Sequence, residues 1–566
     1  MRWFRGNNKQ PVEFDEIFLD ASNLPSFNVG RMEGKMEVPL KRSNIYIVGI
    51  VFVLIVMVFT GQLFTLQVTR GAELRQQSEE NKLDTSVIIA ERGVVYDRNM
   101  ELLAWNEIDH SGEYDFPVRA YTDRMGLGQL IGYVSYPKRD NRGFYFRTEY
   151  LGRNGVEEAF NDRLQGQNGE QLVEVDALGE AISGHVVRPP GAGQPLILSL
   201  DAELSEVMYD IIATSTNKAE FRSGAGAIMD LETGELVAIT SFPSYDPEVM
   251  ADGDDVDLIQ AYNDDGRFPF LNKVVGGQYT PGSVVKPFVA YAALAEDIIS
   301  PNKIVVSNGE IVIPNPYSPS NPSRFTDWRA HGKMNMKEAI AFSSNVYFYI
   351  IGGGFQDQDG MGITKMNEYM ELFGFGEKAG LEIAGEQAGV VPSPDWKEMV
   401  FDDDWRLGDT YLTSIGQFGW QTTPLQLLRA YGALGNGGKL FVPHVRKGEV
   451  GNYQNLELDP SALAVVQEGM HMTTNYPGGT ARGLEFPEVT VAAKSGTAEL
   501  GASKAMVNTW IAGYFPYEEP KYSFVLMMEN GPRTNTLGAS WVMRDVMLWM
   551  EEYRPEMLGL AVDNAE

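Results

Sequence analysis

The longest feature in the hydrophobic pattern is a 24-residue apolar run, Ile45 to Val68, inside a charge gap from Arg42 to Arg70. A helix rises about 1.5 Å per residue, so about 20 residues cross a hydrocarbon core and this run spans one with room for tilt. It is too long for a secretory leader, and no small-x-small cleavage site follows it, so an uncleaved anchor is expected. Beyond it, Gly71–Lys82 reads as a polar helix. Ser86-Val-Ile-Ile-Ala90 followed by Glu91 to Asn99 then reads as strand, turn, strand. Short Gly-punctuated elements continue to Pro189-Pro-Gly-Ala-Gly-Gln-Pro195, a candidate hinge.

From Leu196 the texture changes. Leu196–Asp201 has strand character and Ala202–Thr214 helix character, and residues 224–240 form a hairpin turning at Glu232-Thr-Gly234. Helical stretches follow, and strand patterns return at Val489–Glu499, Asn508–Tyr514 and Tyr522–Glu529. Strands at both ends with helices between predict an α+β domain whose sheet joins its first and last parts.

The tail, residues 1–43, holds seven basic and six acidic residues and has no clear periodicity. The Lys and Arg flanking the apolar run are slightly more numerous on its N-terminal side, which places the N-terminus in the cytoplasm. The net charge of −31 argues against nucleic acid as a partner. There is no cysteine, and the five histidines (His110, His185, His331, His444, His471) show no metal-ligand spacing. Thiolate chemistry is therefore excluded, and neither a metal nor another cofactor is expected.

Three short motifs carry the candidate chemistry. In Pro281-Gly-Ser-Val-Val-Lys-Pro287, Ser283 and Lys286 are three apart and point from one face of a helical turn. A serine nucleophile needs a base, and a lysine amine serves once burial or a nearby cation lowers its pKa. Ser343-Ser-Asn345 follows a helical run from Met336 to Phe342; it reads either as a helix-ending cap or as a hydroxyl and an amide reaching into a cleft. Lys494-Ser-Gly-Thr497 lies on a strand, where Lys494, Ser495 and Thr497 suit a carboxylate and Gly496 admits a close backbone approach. Each motif alone has a bland reading as surface or capping residues. Their order S-x-x-K, S-x-N, K-[ST]-G within one α+β region is the signature of penicillin-binding proteins and class A β-lactamases.

On these residues the chain resembles the class B (monofunctional) penicillin-binding proteins. Further segments support the likeness. They are Arg92-Gly-Val-Val-Tyr-Asp-Arg-Asn99 with Leu103-Ala-Trp-Asn106, Asp230–Ala238, Ser241–Pro247, Gly408-Asp-Thr410, Ile415-Gly-Gln417, Thr422–Gln426, Gly479-Thr-Ala481 and Trp510–Tyr514. Met100 and Phe418 stand where the family pattern has glycine, so a different turn is expected at Met100. The resemblance implies a single transmembrane helix, a mostly β, elongated membrane-proximal pedestal and a serine β-lactamase-like transpeptidase domain whose sheet is flanked by helices. The corresponding boundaries are a cytoplasmic tail 1–43, an anchor 44–69, a pedestal or dimerisation domain 70–195 and a transpeptidase domain 196–566.

The resemblance further implies that Ser283 is acylated, with Lys286 as its base. Ser343 and Asn345 would relay protons and orient substrate. Lys494, Ser495 and Thr497 would grip a terminal carboxylate beside Gly496, and the N–H groups of Ser283 and Thr497 would form an oxyanion hole. The reaction implied is D,D-transpeptidation of peptidoglycan stem peptides ending in D-Ala-D-Ala, inhibited by β-lactams, at the plasma (inner) membrane. Trp328-Arg-Ala-His-Gly332 and Pro392-Ser-Pro-Asp-Trp-Lys397 resemble the elongation branch (penicillin-binding protein 2 type), whose partner is a polytopic shape-elongation-division glycosyltransferase. Asn345 resembles the division branch instead. A D,D-carboxypeptidase or β-lactamase on the same scaffold and a non-catalytic β-lactam or muropeptide receptor are the remaining readings.

Overall fold

The computed structural model describes residues 42–560 except 81–82, 111, 113, 141–144, 176–180, 316–317, 319 and 536. The tail expected over 1–43 lies almost wholly outside the described residues. Contacts divide the chain into two units, one of residues 1–84 and 173–184, the other of 85–172 and 185–566.

In the first unit, a helix over Arg42–Phe64 continues as a π-helical turn through Thr69. Its stretch Ser43–Thr69 has a mean hydropathy of 2.6 and is unburied within the protein, as expected of a helix whose apolar surface faces lipid. A polar helix follows over Gly71–Glu80.

In the second unit the pedestal is organised around a buried ion triad. Glu157 accepts from Arg92 Nε at 2.6 Å and Arg119 Nε at 2.8 Å, with all three side chains enclosed. Arg119 also donates to the Gly93 carbonyl at 2.9 Å. Asp97 Oδ1 then accepts from the N–H groups of Asn99 and Glu101 at 2.7 and 2.8 Å, closing a turn. Met100 sits in that turn at φ +66°, so the left-handed backbone expected of glycine is retained without it. The candidate hinge 189–195 is instead pinned: Gly191 and Gly193 donate to Gln167 O and Glu91 O at 2.8 and 2.9 Å. Leu196–Ile197 pairs in parallel with Val95–Tyr96.

The α+β domain is a three-layer structure. Its helices used below are α1 (Ala202–Lys218), α2 (Lys286–Ala295), α3 (Asn345–Gly353), α4 (Pro424–Gly435), α5 (Pro460–Asn475) and α6 (Ala539–Tyr553). Its strands are β1 (Ser223–Asp230), β2 (Leu236–Phe242), β3 (Ala492–Leu500), β4 (Met506–Phe515) and β5 (Tyr522–Pro532). They form one antiparallel sheet in the order β2-β1-β5-β4-β3. The sheet does join the two ends of the domain, because β1 pairs with β5 from Ser223↔Glu529 to Asp230↔Tyr522.

Alternation along the strands explains the layers. Ile228, Phe524, Leu526 and Met528 face α1 and α6, whereas Ala227, Met229, Val525 and Met527 face the helices on the other side. There α4 is buried throughout, its Gly432 and Gly435 lying under Met229 and Tyr514. A strand buried on both faces loses polar alternation, which is why β1 and β2 read as nearly continuous apolar runs. The edge strand β3 carries the third motif.

Candidate active site

The turn carrying Ser283 is tighter than the sequence pattern implies. Gly282–Val285 is a 3-10 turn, and α2 begins only at Lys286. In a 3-10 turn residues i and i+3 eclipse one another, so Ser283 and Lys286 are aligned more closely than in an α-helix. Pro287 is accommodated because the first N–H groups of α2 have no partner inside the helix. Gly282 donates to Gly416 O at 2.9 Å, Trp510 Nε1 to Thr280 O at 3.1 Å, and Tyr431 to Val284 O at 2.5 Å. These three bonds fix the turn from outside.

Lys286 is completely buried. Its Nζ donates to Ser343 O at 2.8 Å and Asn345 Oδ1 at 2.8 Å, with Ser343 Oγ at 3.3 Å. Burial brings its pKa down to about 7, partly opposed by the negative charge of Asp327. The first and second motifs are thus joined through the lysine, while Ser283 stays half-buried at the surface of the turn.

For the second motif, the capping reading is realised, and the other groups of the motif meet Lys286. The helix Met336–Ala341 ends with Ser343 N–H bonded to Ile340 O and Ser344 N–H to Ala339 O, a Schellman closure with Ser343 at φ +57°. Ser344 then caps α3 by accepting from Tyr347 N–H at 3.3 Å. Two helices abut at this turn, and its inner edge supplies the acceptors for Lys286.

The pleat of β3 separates the third motif into two faces. Lys494 is buried, and both burial and the neighbouring charge of Lys286 hold its pKa well below the ordinary lysine value. Ser495 and Thr497 occupy the opposite parity. Ser495 Oγ donates to Thr480 Oγ1 at 2.7 Å, and Thr497 is exposed. A Cβ on Gly496 would lie 2.8 Å from Val284 and 3.0 Å from Pro281 O; one on Gly282 (φ +59°) would lie 3.0 Å from Thr497 O. Two glycines therefore let the nucleophile turn and β3 meet backbone to backbone, with Ser283 and Thr497 on either side of the contact.

Two groups at this site lay outside the sequence-derived set. Thr480 belongs to the Gly479-Thr-Ala481 segment, which gave a signal, and its N–H donates to Ala341 O at 3.2 Å. Asp327, immediately before Trp328, gave none of its own. Its Oδ2 accepts from Ser344 Oγ at 2.6 Å and Val346 N–H at 3.0 Å. Phe418 holds φ +62° beside Gly416, with ring contacts to Trp405, Trp396 and Phe401 at 5.6, 6.0 and 6.4 Å. The left-handed backbone is kept there too, and the aromatic cluster supplies contacts that glycine lacks.

A buried amine with a lowered pKa, aligned with a serine and bounded by an edge strand, can perform acyl transfer on an extended peptide. The penicillin binding protein transpeptidase domain family matches residues 224–547, and the penicillin-binding protein dimerisation domain family matches 112–198. The chain is 31% identical over 462 residues to the peptidoglycan D,D-transpeptidase MrdA of Haemophilus influenzae, covering 74% of this chain and 68% of that protein. It is 27% identical to MrdA of Escherichia coli K12, over 90% and 93% of the two chains. Among solved structures, PBP2 of Pseudomonas aeruginosa in complex with WCK 5153 is similar at a TM-score of 0.69 and 27% identity, over 85% of this chain and 100% of that one. PBP2 of Helicobacter pylori, in complex with MreC, aligns at 0.69 and 26% identity, over 83% and 99%. A chain of a peptidoglycan synthase complex that coordinates polymerization and crosslinking aligns at 0.70 and 25%, over 92% and 100%.

Proposed function

Because the chain belongs to the penicillin-binding protein transpeptidase family, we propose that it cross-links peptidoglycan stem peptides through an acyl-enzyme on Ser283. The observation that carries this reading is the buried Lys286, its pKa near 7, one eclipsed turn from that serine. The neutral amine takes the hydroxyl proton as Ser283 Oγ attacks the penultimate D-Ala carbonyl. The N–H groups of Ser283 and Thr497 receive the developing oxyanion. Collapse breaks the C–N bond, and the departing D-Ala amine is protonated through Ser343. An amine of a second stem then attacks the ester, loses its proton by the same route, and restores Ser283. One amide bond replaces another, so no external energy source enters. Ser495 and Thr497 are assigned to the substrate carboxylate on the open face of β3, and Lys494 to the electrostatics of the catalytic face. β-Lactams acylate the same serine and lack a departing group that diffuses away.

The same reading assigns the pedestal to residues 70–195 and the catalytic domain to 196–566. It puts the N-terminus in the cytoplasm and the catalytic domain outside a plasma membrane, on the flanking Lys and Arg. Similarity to MrdA proteins and to a synthase-complex chain supports an elongation role with a membrane glycosyltransferase as partner. Asn345 is the residue that favours the division branch. Depletion distinguishes them: rounded cells indicate elongation, and filaments indicate division.

Intact mass of the protein with a β-lactam, beside Ser283→Ala, tests the chemistry. A stable adduct confined to the wild type is expected. Rapid loss of the adduct with drug consumption would point to a hydrolase, and an adduct on Ser283→Ala would overturn the assignment. Cross-linking of donor and acceptor peptides then separates a transpeptidase from a receptor.

A further inference from the structure

The Ser343–Asn345 turn holds the two acceptors of Lys286, yet its backbone is intrinsically unfavourable, with a non-glycine residue at φ +57°. Something must fix it from the side away from the lysine. Asp327 stands there, its side chain fully enclosed. Its Oδ2 accepts from Ser344 Oγ (2.6 Å), Val346 N–H (3.0 Å) and Ser307 Oγ (3.3 Å), and its Oδ1 from Trp328 N–H (2.9 Å). Backbone bonding seats the residue itself, since Asp327 N–H donates to Gly309 O at 2.7 Å. His331 Nε2 lies 3.5 Å from Oδ1, and Arg329 Nε donates to His331 Nδ1 at 3.3 Å. Nδ1 is therefore the acceptor nitrogen, and the ring edge carrying Nε2 borders the carboxylate. Val346 N–H belongs to the first turn of α3, where a carboxylate also meets the positive end of the helix dipole.

We propose that Asp327 is a positioning residue for acylation: it clamps Ser344 and the start of α3 so that Ser343 O and Asn345 Oδ1 are held against Lys286. The inference rests on the assignment of Lys286 as the base of Ser283. Asp327 makes no hydrogen bond to Ser283 and acts through the turn. It also acts through its charge, because the negative charge of Asp327 opposes the effect of burial on Lys286. The groups around Asp327 are Ser307, His331, Ser344 and the phenol of Tyr349. Burial tends to raise the Asp327 pKa, but bonds from His331, Ser344 and the N–H groups of Asn345 and Val346 outweigh it, so the carboxylate stays ionised.

The test is the second-order acylation rate constant of the full-length protein in detergent, read with a fluorescent penicillin from pH 5.5 to 9. Asp327→Ala is expected to slow acylation about 10- to 100-fold, the range that misplacement of a catalytic group by about 1 Å produces. Its effect falls on the limiting rate more than on the concentration of drug giving half that rate. Asp327→Asn keeps one acceptor and removes the charge, so it slows acylation less and moves the acidic limb of the profile to lower pH. Ser344→Ala, which removes the 2.6 Å bond to Asp327 and the cap on Tyr347 N–H but no charge, slows acylation without moving the limb. If Asp327→Ala does not fold, Asp327→Asn and Ser344→Ala decide. Folded variants with wild-type rates and an unmoved limb overturn the proposal while leaving Lys286 as base. Labelling that persists in Ser283→Ala overturns the underlying assignment instead.

Discussion

The fully buried Lys286 amine and the half-buried Asn345 amide oxygen are 2.8 Å apart, and this contact joins the first motif to the second. A lysine serves as a base only when neutral. Desolvation lowers the pKa of this one to about 7 against the pull of Asp327.

With Lys286 as the proposed base, acylation should follow its deprotonated fraction. The rate constant is expected to rise about tenfold per pH unit below pH 7 and to level above it, so at pH 5 it is about a hundredfold below the plateau. Stopped-flow acylation across pH, with the fold monitored in parallel, checks this. A rate that stays flat from pH 5 to 8 would remove Lys286 from the role of base.

Gly496 is where the third motif meets the nucleophile turn. An added Cβ would lie 2.8 Å from Val284 and 3.0 Å from Pro281 O. Gly496→Ala should push β3 away from Ser283 and lower the acylation rate about 10- to 100-fold while melting stays near wild type. Equal acylation by the variant would show that this contact does not set the geometry.

Glu157 is the shared partner of two enclosed arginines. Glu157→Ala leaves both charges buried without their partner and should cost about 3–5 kcal/mol in denaturant unfolding. By contrast, Glu170→Ala breaks the Arg188–Glu170 pair, which is open to solvent, and should cost less than about 1 kcal/mol. Similar losses in the two variants would contradict the distinction.

Met100 is 53% exposed and holds φ +66° in the turn closed by Asp97. Met100→Gly removes the steric penalty and few contacts, so it should stabilise the protein by about 1 kcal/mol. A destabilised variant would mean that the Met100 side chain contributes more than its exposure implies.

Much of the architecture was legible because it rests on local signals. The apolar run, the 224–240 hairpin and the three late strands follow from periodicity, and the three motifs follow from order and spacing. What stayed hidden depends on chain segments meeting in space. Asp327 has no local pattern, since its partners Ser344 and Val346 become neighbours only when the fold brings them up. The two faces of β3 emerge from strand parity, so Lys494 parts from Ser495 and Thr497 although a short motif unites them. Met100 and Phe418 broke a glycine pattern without breaking the backbone, because Asp97 in one case and an aromatic cluster in the other sustains the left-handed conformation. The Pro189–Pro195 segment has the composition of a hinge, but its backbone bonds to Gln167 and Glu91 immobilise it.

The pairing of β1 with β5 also bears on how the enzyme comes into being. Residues 223–230 must wait for residues 522–532 before the centre of the sheet closes. Ser283 is synthesised 211 residues ahead of Lys494, so a nascent chain carries its nucleophile long before the strand that borders it. Closing so distant a pair makes a slow, late step of assembly. A chain cut short between β4 and β5 carries Ser283 and yet lacks the strand that joins β1 to β4 at the centre of the sheet. An intact sheet thus requires a chain translated nearly to its end.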